Sequence, residues 1–494
     1  MSEEPQKIKR GDSGLAIKAG FWYVISTFLV KGLSFITTPV FSRLLTKAEY
    51  GEFSNFASWQ ALLLIITSME MQNTVARAYY DYKKDFDKYV SSVTIVSCAF
   101  TFLLYILFLL CGDWALSIVS IPKQYVHILF FMLMFQACKQ IYMSRERTMY
   151  RYKSVAVISV VNLLLPTLIA VALVVLANHN GTSALSARIY GFYVPSALIG
   201  LGCAAVLLRK GKSFRWSHCK YALALSLPLM VHYFTAHLLT SSNTIVTKNV
   251  LGAVAVSVVS IASSANHILT ILLQSVSGAV TTWLMDNLEL KDVKAVRKGT
   301  LAYVAGISVV ALGVILLAPE VIWVLGGSKY AEAMWLMPGM VVAVLIQSAT
   351  TIFTIMLTYQ KKVVRTALYT GIMAVLCIVA KIYLLPIFGV QSLPFLNMAA
   401  FLALFVINYL LVRKAGLGKY VPIKAIAGIL AGLLLLMFVS YFLYMHTWLR
   451  YTVIGLMAVA AAVVAYRYRG MLLKIIRKKF KKKSKSKKQE KTEE

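Results

Sequence analysis

The sequence has 494 residues, of which 59% are hydrophobic and only 14% charged, yet its formal net charge is +32. Soluble domains are about 45–50% apolar and about 25% charged, and a mean hydropathy of +0.73 argues against the nucleic-acid binding that such a charge would otherwise suggest. The composition predicts an all-α polytopic membrane protein, in which the placement of the charge matters more than its sum.

A bilayer-crossing helix needs about 20 mostly apolar residues. Such windows fall at 16–39, 53–76, 89–112, 125–143, 154–177, 189–208, 222–243, 252–283, 299–318, 334–358, 366–385, 393–411, 423–444 and 451–466, predicting about fourteen spans. The eighth is longer than a perpendicular crossing needs, which implies tilt or partial emergence. The first contains Lys31 and lacks a small-residue cleavage site, so it reads as a span and not as a removed signal.

Forty of the 51 Lys and Arg residues lie before residue 16, in the loops after even-numbered spans, or in the tail from Arg467. Seven lie in the loops after odd-numbered spans: Arg43, Lys47, Lys123, Arg188, Lys248, Lys329 and Arg450. Four, Lys18, Lys31, Lys139 and Lys381, fall within spans. Basic residues collect in cytoplasmic loops, so both termini are expected in the cytoplasm. The tail adds a cluster of the kind that binds anionic lipid headgroups.

The loops are too short for a catalytic domain, which argues against an enzyme. The six Cys are scattered without a CxxC motif and the seven His show no ligand spacing, so no metal or cofactor is expected. Gly211-Lys212-Ser213 lacks the glycine that a phosphate-binding loop requires at position 206, where Val stands.

Phe35–Leu63 resembles Thr240–Ile268, 205 residues on. That offset aligns Arg43 with Lys248 and Ala48 with Ala253, and matches span 1 to span 7. An even offset preserves orientation and predicts two parallel six-helix bundles, with a cavity between them. The expected organisation is an N-terminal segment 1–15, a bundle 16–208, a linker 209–221, a bundle 222–411, two added helices within 412–466 and a polybasic tail 467–494.

Charge inside a membrane is costly and usually faces a cavity. Thr27, Lys31, Ser34 and Thr38 form a polar stripe in span 1; Lys31 either faces the cavity or reaches the outer interface along its stem. Thr67, Glu70, Thr74 and Arg77 form a second stripe, in which Glu70 could pair with Lys31 or Arg77 or hold a coupling proton. Gln136, Lys139, Gln140 and Arg145 end span 4. His237, Ser241, Thr244 and Lys248 share a face of span 7, and Ser260, Ser263, Ser264, His267 and Gln274 lie on span 8, as packing seams or as cavity lining. Lys381 is placed to snorkel at the outer end of span 11. The candidate cavity set is Lys31, Glu70, Lys139, His237, Lys248 and His267; the excess of cations within the spans suits an anionic, hydroxyl-rich substrate.

The segments FLVKGLSFITTPVFSRLLTKAEYGEFS (Phe28–Ser54) and LSLPLMVHYFTAHLLTSSNTIVTKNVLG (Leu225–Gly252) resemble the polysaccharide repeat-unit (Wzx-like) flippases of the multidrug/oligosaccharidyl-lipid/polysaccharide exporter superfamily. Where relatives often carry an Asp-Arg pair, this chain has Asn243-Thr244. Lipid II flippases in the superfamily carry a basic residue near Lys31. The resemblance implies a V-shaped pair of bundles that alternates access and flips polyprenyl-diphosphate-linked oligosaccharide, its lipid tail beside spans 13 and 14. It also implies association with polymerase or glycosyltransferase machinery. A lipid II-type flippase, a small-molecule exporter and, more remotely, a membrane polymerase are the alternatives.

Overall fold

Thr46 starts the first well-formed crossing: its hydroxyl accepts from the Glu49 amide while the Glu49 carboxylate accepts from the Thr46 amide, closing a capping box. The structure, a computed structural model, describes residues 35–360 and 363–467, together with Gly32. Residues 35–44 form helix α1, and the capped helix α2 runs Lys47–Ser68. There follow α3 (Val75–Asp81), α4 (Phe86–Val119), α5 (Val126–Thr148), α6 (Tyr152–Asn180), α7 (Ala184–Gly211) and α8 (Trp216–Glu289). The chain continues through α9 (Val293–Leu316), α10 (Ala318–Gly326), α11 (Met337–Tyr359), α12 (Val363–Phe388), α13 (Ser392–Lys414), α14 (Ile423–Met445) and α15 (Thr447–Arg467).

Ten of these helices are long and apolar enough to cross a membrane; the expected spans from the third to the fourteenth follow helices for most of their length, whereas the second is helical only as far as Ser68 before its chain turns. The protein is an all-α, multi-pass membrane protein. Spans 7 and 8 are the two arms of α8, which turns at Gly252 with φ 83° and ψ 179°, a backbone that a side-chain-bearing residue adopts only under strain. The sequence repeat aligns Lys47, the first residue of α2, with Gly252, so the break between α1 and α2 and the bend in α8 are equivalent positions.

Helices α4 to α7 pack on one another with α2 around Phe56, Leu129, Leu133 and Tyr193. Helices α9 and α11 to α14 pack with α8 around Ile346, Phe353, Met356 and Leu404, and α12 and α13 reach its first arm through Lys381 and Asn397. Between the two sets, the start of α8 is clamped to α4: the Arg215 amide donates to Ser92 Oγ at 3.0 Å and its guanidinium to Asp85 at 2.8 Å. The Lys88 ammonium donating to Asp85, with Arg215 beside it, holds that carboxyl below its ordinary range.

One stripe departs from expectation. Helix α2 ends at Ser68, and Met69 and Glu70 both take left-handed backbone conformations. Thr67, Glu70, Thr74 and Arg77 therefore share no helical face. Arg77 lies 3.7 Å from Asp81 on its own short helix and does not pair with Glu70.

Candidate functional site

The α1–α2 turn marks one face of the molecule, and the two helix sets are joined there. Lys248 on α8 pairs with Glu52 on α2. Lys47 pairs with Glu332 at 2.6 Å. Ser42 donates to the Leu325 carbonyl at 2.5 Å and Arg43 to the Val324 carbonyl at 3.2 Å, while Lys329 reaches back to the carbonyls of Ser42 and Leu45. Ser120, just past α4, donates to Asn249 at 2.5 Å. Beneath these links α2 lies directly on the α8 bend: a β-carbon on Gly51 would collide with the Ala253 carbonyl.

Behind this seal lies Arg188, which the sequence presents as an ordinary loop cation. It sits one turn into α7 and is only 7% exposed. Its guanidinium carbon is 3.6 Å from the ring centre of Phe53, 4.0 Å from Phe41 and 5.1 Å from Tyr50. Its Nε and Nη1 have no hydrogen-bond partner among the described residues, and neither has the hydroxyl of the fully buried Tyr330, whose ring is 6.0 Å from that of Tyr50.

The expected site residues are dispersed. Lys31 lies outside the described residues, as do residues 1–15 and 468–494. Glu70 sits in the turn after α2 and accepts from Gln72 at 2.8 Å and Asn73 at 2.7 Å. Lys139 is 7% exposed within the α5–α6–α7 set, where it donates to Asn162 Oδ1 at 2.6 Å; Ser196 donates to the same oxygen. Lys248 belongs to the seal. His237 and His267 are exposed on the two arms of α8. Lys381 does not snorkel: it is fully buried and donates to Ser242 at 2.8 Å. Its Nζ also approaches the Leu239 carbonyl, so a hydroxyl and a backbone oxygen satisfy it inside the helix packing. Nearby, Asn397 donates to Asn243 at 3.0 Å, a neutral amide pair where relatives often carry charge.

Helix α11 adds a feature that its hydropathy conceals. Most of it is buried, and apart from Tyr359 at its end its accessible residues, Val344, Gln347, Thr351, Thr354 and Thr358, form one stripe at helical spacing. A stripe facing lipid would be apolar; this one carries one amide and three hydroxyls. Polar side chains that are accessible within a crossing helix line water-filled space. An apolar hollow of about 340 Å³ lies alongside, bounded by Val280 and Trp283 of α8, Thr300 and Tyr303 of α9, and Ile352 of α11.

Residues 16–284, more than half the chain, match the family model described as polysaccharide biosynthesis protein. The chain belongs to this family. No curated protein matches it in sequence, but its fold recurs in solved structures. One is a lipid II flippase MurJ in an inward closed conformation, 14% identical, with a TM-score of 0.67 over 91% of this chain and 99% of that one. Another is an inward-facing multidrug resistance MATE family transporter of the MOP superfamily, 13% identical, with a TM-score of 0.59 over 81% of this chain and 99% of that one. The resemblance read from Phe28–Ser54 and Leu225–Gly252 therefore stands. This polysaccharide biosynthesis family member thus has the fold seen in those flippase and transporter structures.

Proposed function

We propose that the protein flips polyprenyl-diphosphate-linked oligosaccharide repeat units across the cytoplasmic membrane by alternating access, for surface-polysaccharide biosynthesis. The observation that carries this reading is the α11 stripe: the one accessible face of a buried crossing helix is rich in hydroxyls, as a sugar-lined path requires. The family supports a polysaccharide role, and the cations within the spans suit a diphosphate, which lysine attracts as a point charge.

In this reading the bundles 16–208 and 222–411 flank the cavity, with 209–221 as linker and the helices within 412–466 added outside. The charge-poor α1–α2 face is extracytoplasmic, so both termini are cytoplasmic. Lys31, Glu70, His237 and His267 contact the headgroup or sugars, and Lys139 and Lys248 act from within the bundle and the seal. The apolar hollow beside Trp283 receives polyprenyl chain. The tail binds anionic lipid, and polymerase or glycosyltransferase machinery supplies and takes up the substrate.

Depleting the protein should abolish surface polysaccharide while lipid-linked repeat units accumulate on the cytoplasmic leaflet. Lys31→Ala should do the same with the protein folded and inserted. Normal polysaccharide in the depleted cells would reject the reading. Movement of lipid II but not of repeat units in proteoliposomes would instead assign the lipid II-type activity.

A further inference from the structure

We propose that Arg188 is a concealed anion-binding group, covered while the α1–α2 face is sealed and uncovered to receive the substrate's diphosphate when that face opens. The proposal rests on the substrate class inferred above. Its basis is the arrangement of Arg188 itself. A guanidinium has five N–H donors in a rigid fork suited to phosphate oxygens. Here Nε and Nη1 are buried without an acceptor, and the charge is held against the rings of Phe41, Tyr50 and Phe53.

Such a cage stabilises the charge but leaves the Nε and Nη1 donors unused. It also borders the parts that must separate, since the opposite set covers its outer side through Tyr330. Phe41 and Tyr50 flank the α1–α2 turn, whose Ser42, Arg43, Leu45 and Lys47 make the links to the opposite set. Tyr50 itself lies against Tyr330 of that set, whose hydroxyl is likewise unpartnered. Parting the face removes Tyr330 from Tyr50 and admits water or an anion to the fork. A diphosphate in the cavity then favours the open state, because only that state offers it these donors. Arg188 would thereby take the headgroup at the stage when it must leave toward the outside.

The test uses the full-length protein in lipid nanodiscs. Ser120→Cys and Asn249→Cys, which replace a hydrogen-bonded pair across the seal, allow a short bifunctional thiol reagent to lock the face shut. Glu52→Lys, which sets like charges against Lys248, supplies an opened population, recognised by its loss of cross-linking. Phenylglyoxal modification of Arg188 is read by mass spectrometry, with and without geranylgeranyl diphosphate, geranylgeraniol or inorganic pyrophosphate.

Locked protein should stay unmodified. Opened protein should be modified, and the diphosphates, but not the alcohol, should protect it about fivefold or more. Modification of the locked protein, no modification of the opened protein, or modification that neither diphosphate reduces would overturn the proposal. Protection by pyrophosphate alone would keep the anion site and remove the lipid-linked substrate. Arg188→Lys should restore transport only in part if the fork matters; full transport in Arg188→Gln would also overturn the assignment.

Discussion

Lys139 is a buried cation with no ion pair among the described residues, held by the Asn162 amide oxygen that Ser196 also uses. Burying a charge without a counter-ion costs several kcal/mol, and an apolar residue of similar volume is often neutral or stabilising. Lys139→Met should therefore raise the melting temperature in detergent, yet lower transport about tenfold or more if the ammonium serves the substrate. Unchanged transport would make the residue structural. Gly51 makes the opposite case, since it is needed for what it lacks. Gly51→Val should hold α2 off the α8 bend and abolish thiol cross-linking between Cys residues at 120 and 249, while insertion persists. At this scale the sequence revealed which side chains were costly but not what satisfies them. Asn162 lies 23 residues from Lys139 and Ser242 lies 139 from Lys381, separations that a helical-periodicity argument cannot bridge. Arg188 is hidden for a related reason: it follows the Ser183 cap closely enough to read as a loop residue. Its one sequence signal is that it is isolated on a charge-poor face.

Among the elements, α8 has the most to explain. Its two arms are joined through Gly252 without an intervening loop. A side chain there would have to occupy a backbone region that costs about 1–3 kcal/mol. Gly252→Ala should thus lower thermal stability by that order, with a larger effect for Val, whose branched β-carbon is less tolerant still. The start of α8 makes a separate prediction. Asp85 is held below its ordinary pKa of 3.8 by Lys88 and Arg215, so its contribution is present above that value and fades as the pH falls through the lowered one. Hydrogen-exchange protection factors at residues 212–216 should accordingly be high at neutral pH and fall below about pH 4. Asp85→Asn should show the lowered protection at neutral pH as well and converge with the unaltered protein in acid. Element positions were legible because each crossing is a long apolar run, but the continuity of spans 7 and 8 through a single bend at Gly252 was not. The end of α2 was not legible. Thr67, Glu70 and Thr74 keep helical spacing through a turn that only the paired left-handed residues Met69 and Glu70 disclose.

In the orientation proposed above, the seal lies on the charge-poor outer face and the basic loops lie on the opposite side. Outward passage of a diphosphate gains about 2.3 kcal/mol per negative charge per 100 mV of inside-negative potential. Imposing such a potential on proteoliposomes should speed flipping of a diphosphate-linked substrate and leave a neutral analogue unaffected; equal acceleration of both would show that the charge driving the cycle belongs to the protein. The overall architecture was the most legible level, since hydropathy and loop charge depend on no particular contact. The state in which the halves meet was illegible, because it rests on side chains that pair across the whole chain. The character of that meeting has a further consequence. Ion pairs such as Lys47–Glu332, whose members are 29% and 57% exposed, weaken as dissolved electrolyte rises, the screening length being about 10 Å at 0.1 M and about 3 Å at 1 M. On the orientation proposed above, these pairs face the medium outside the cell. The resting bias between closed and open would then drift with external ionic strength, which makes the growth medium itself an effector of export.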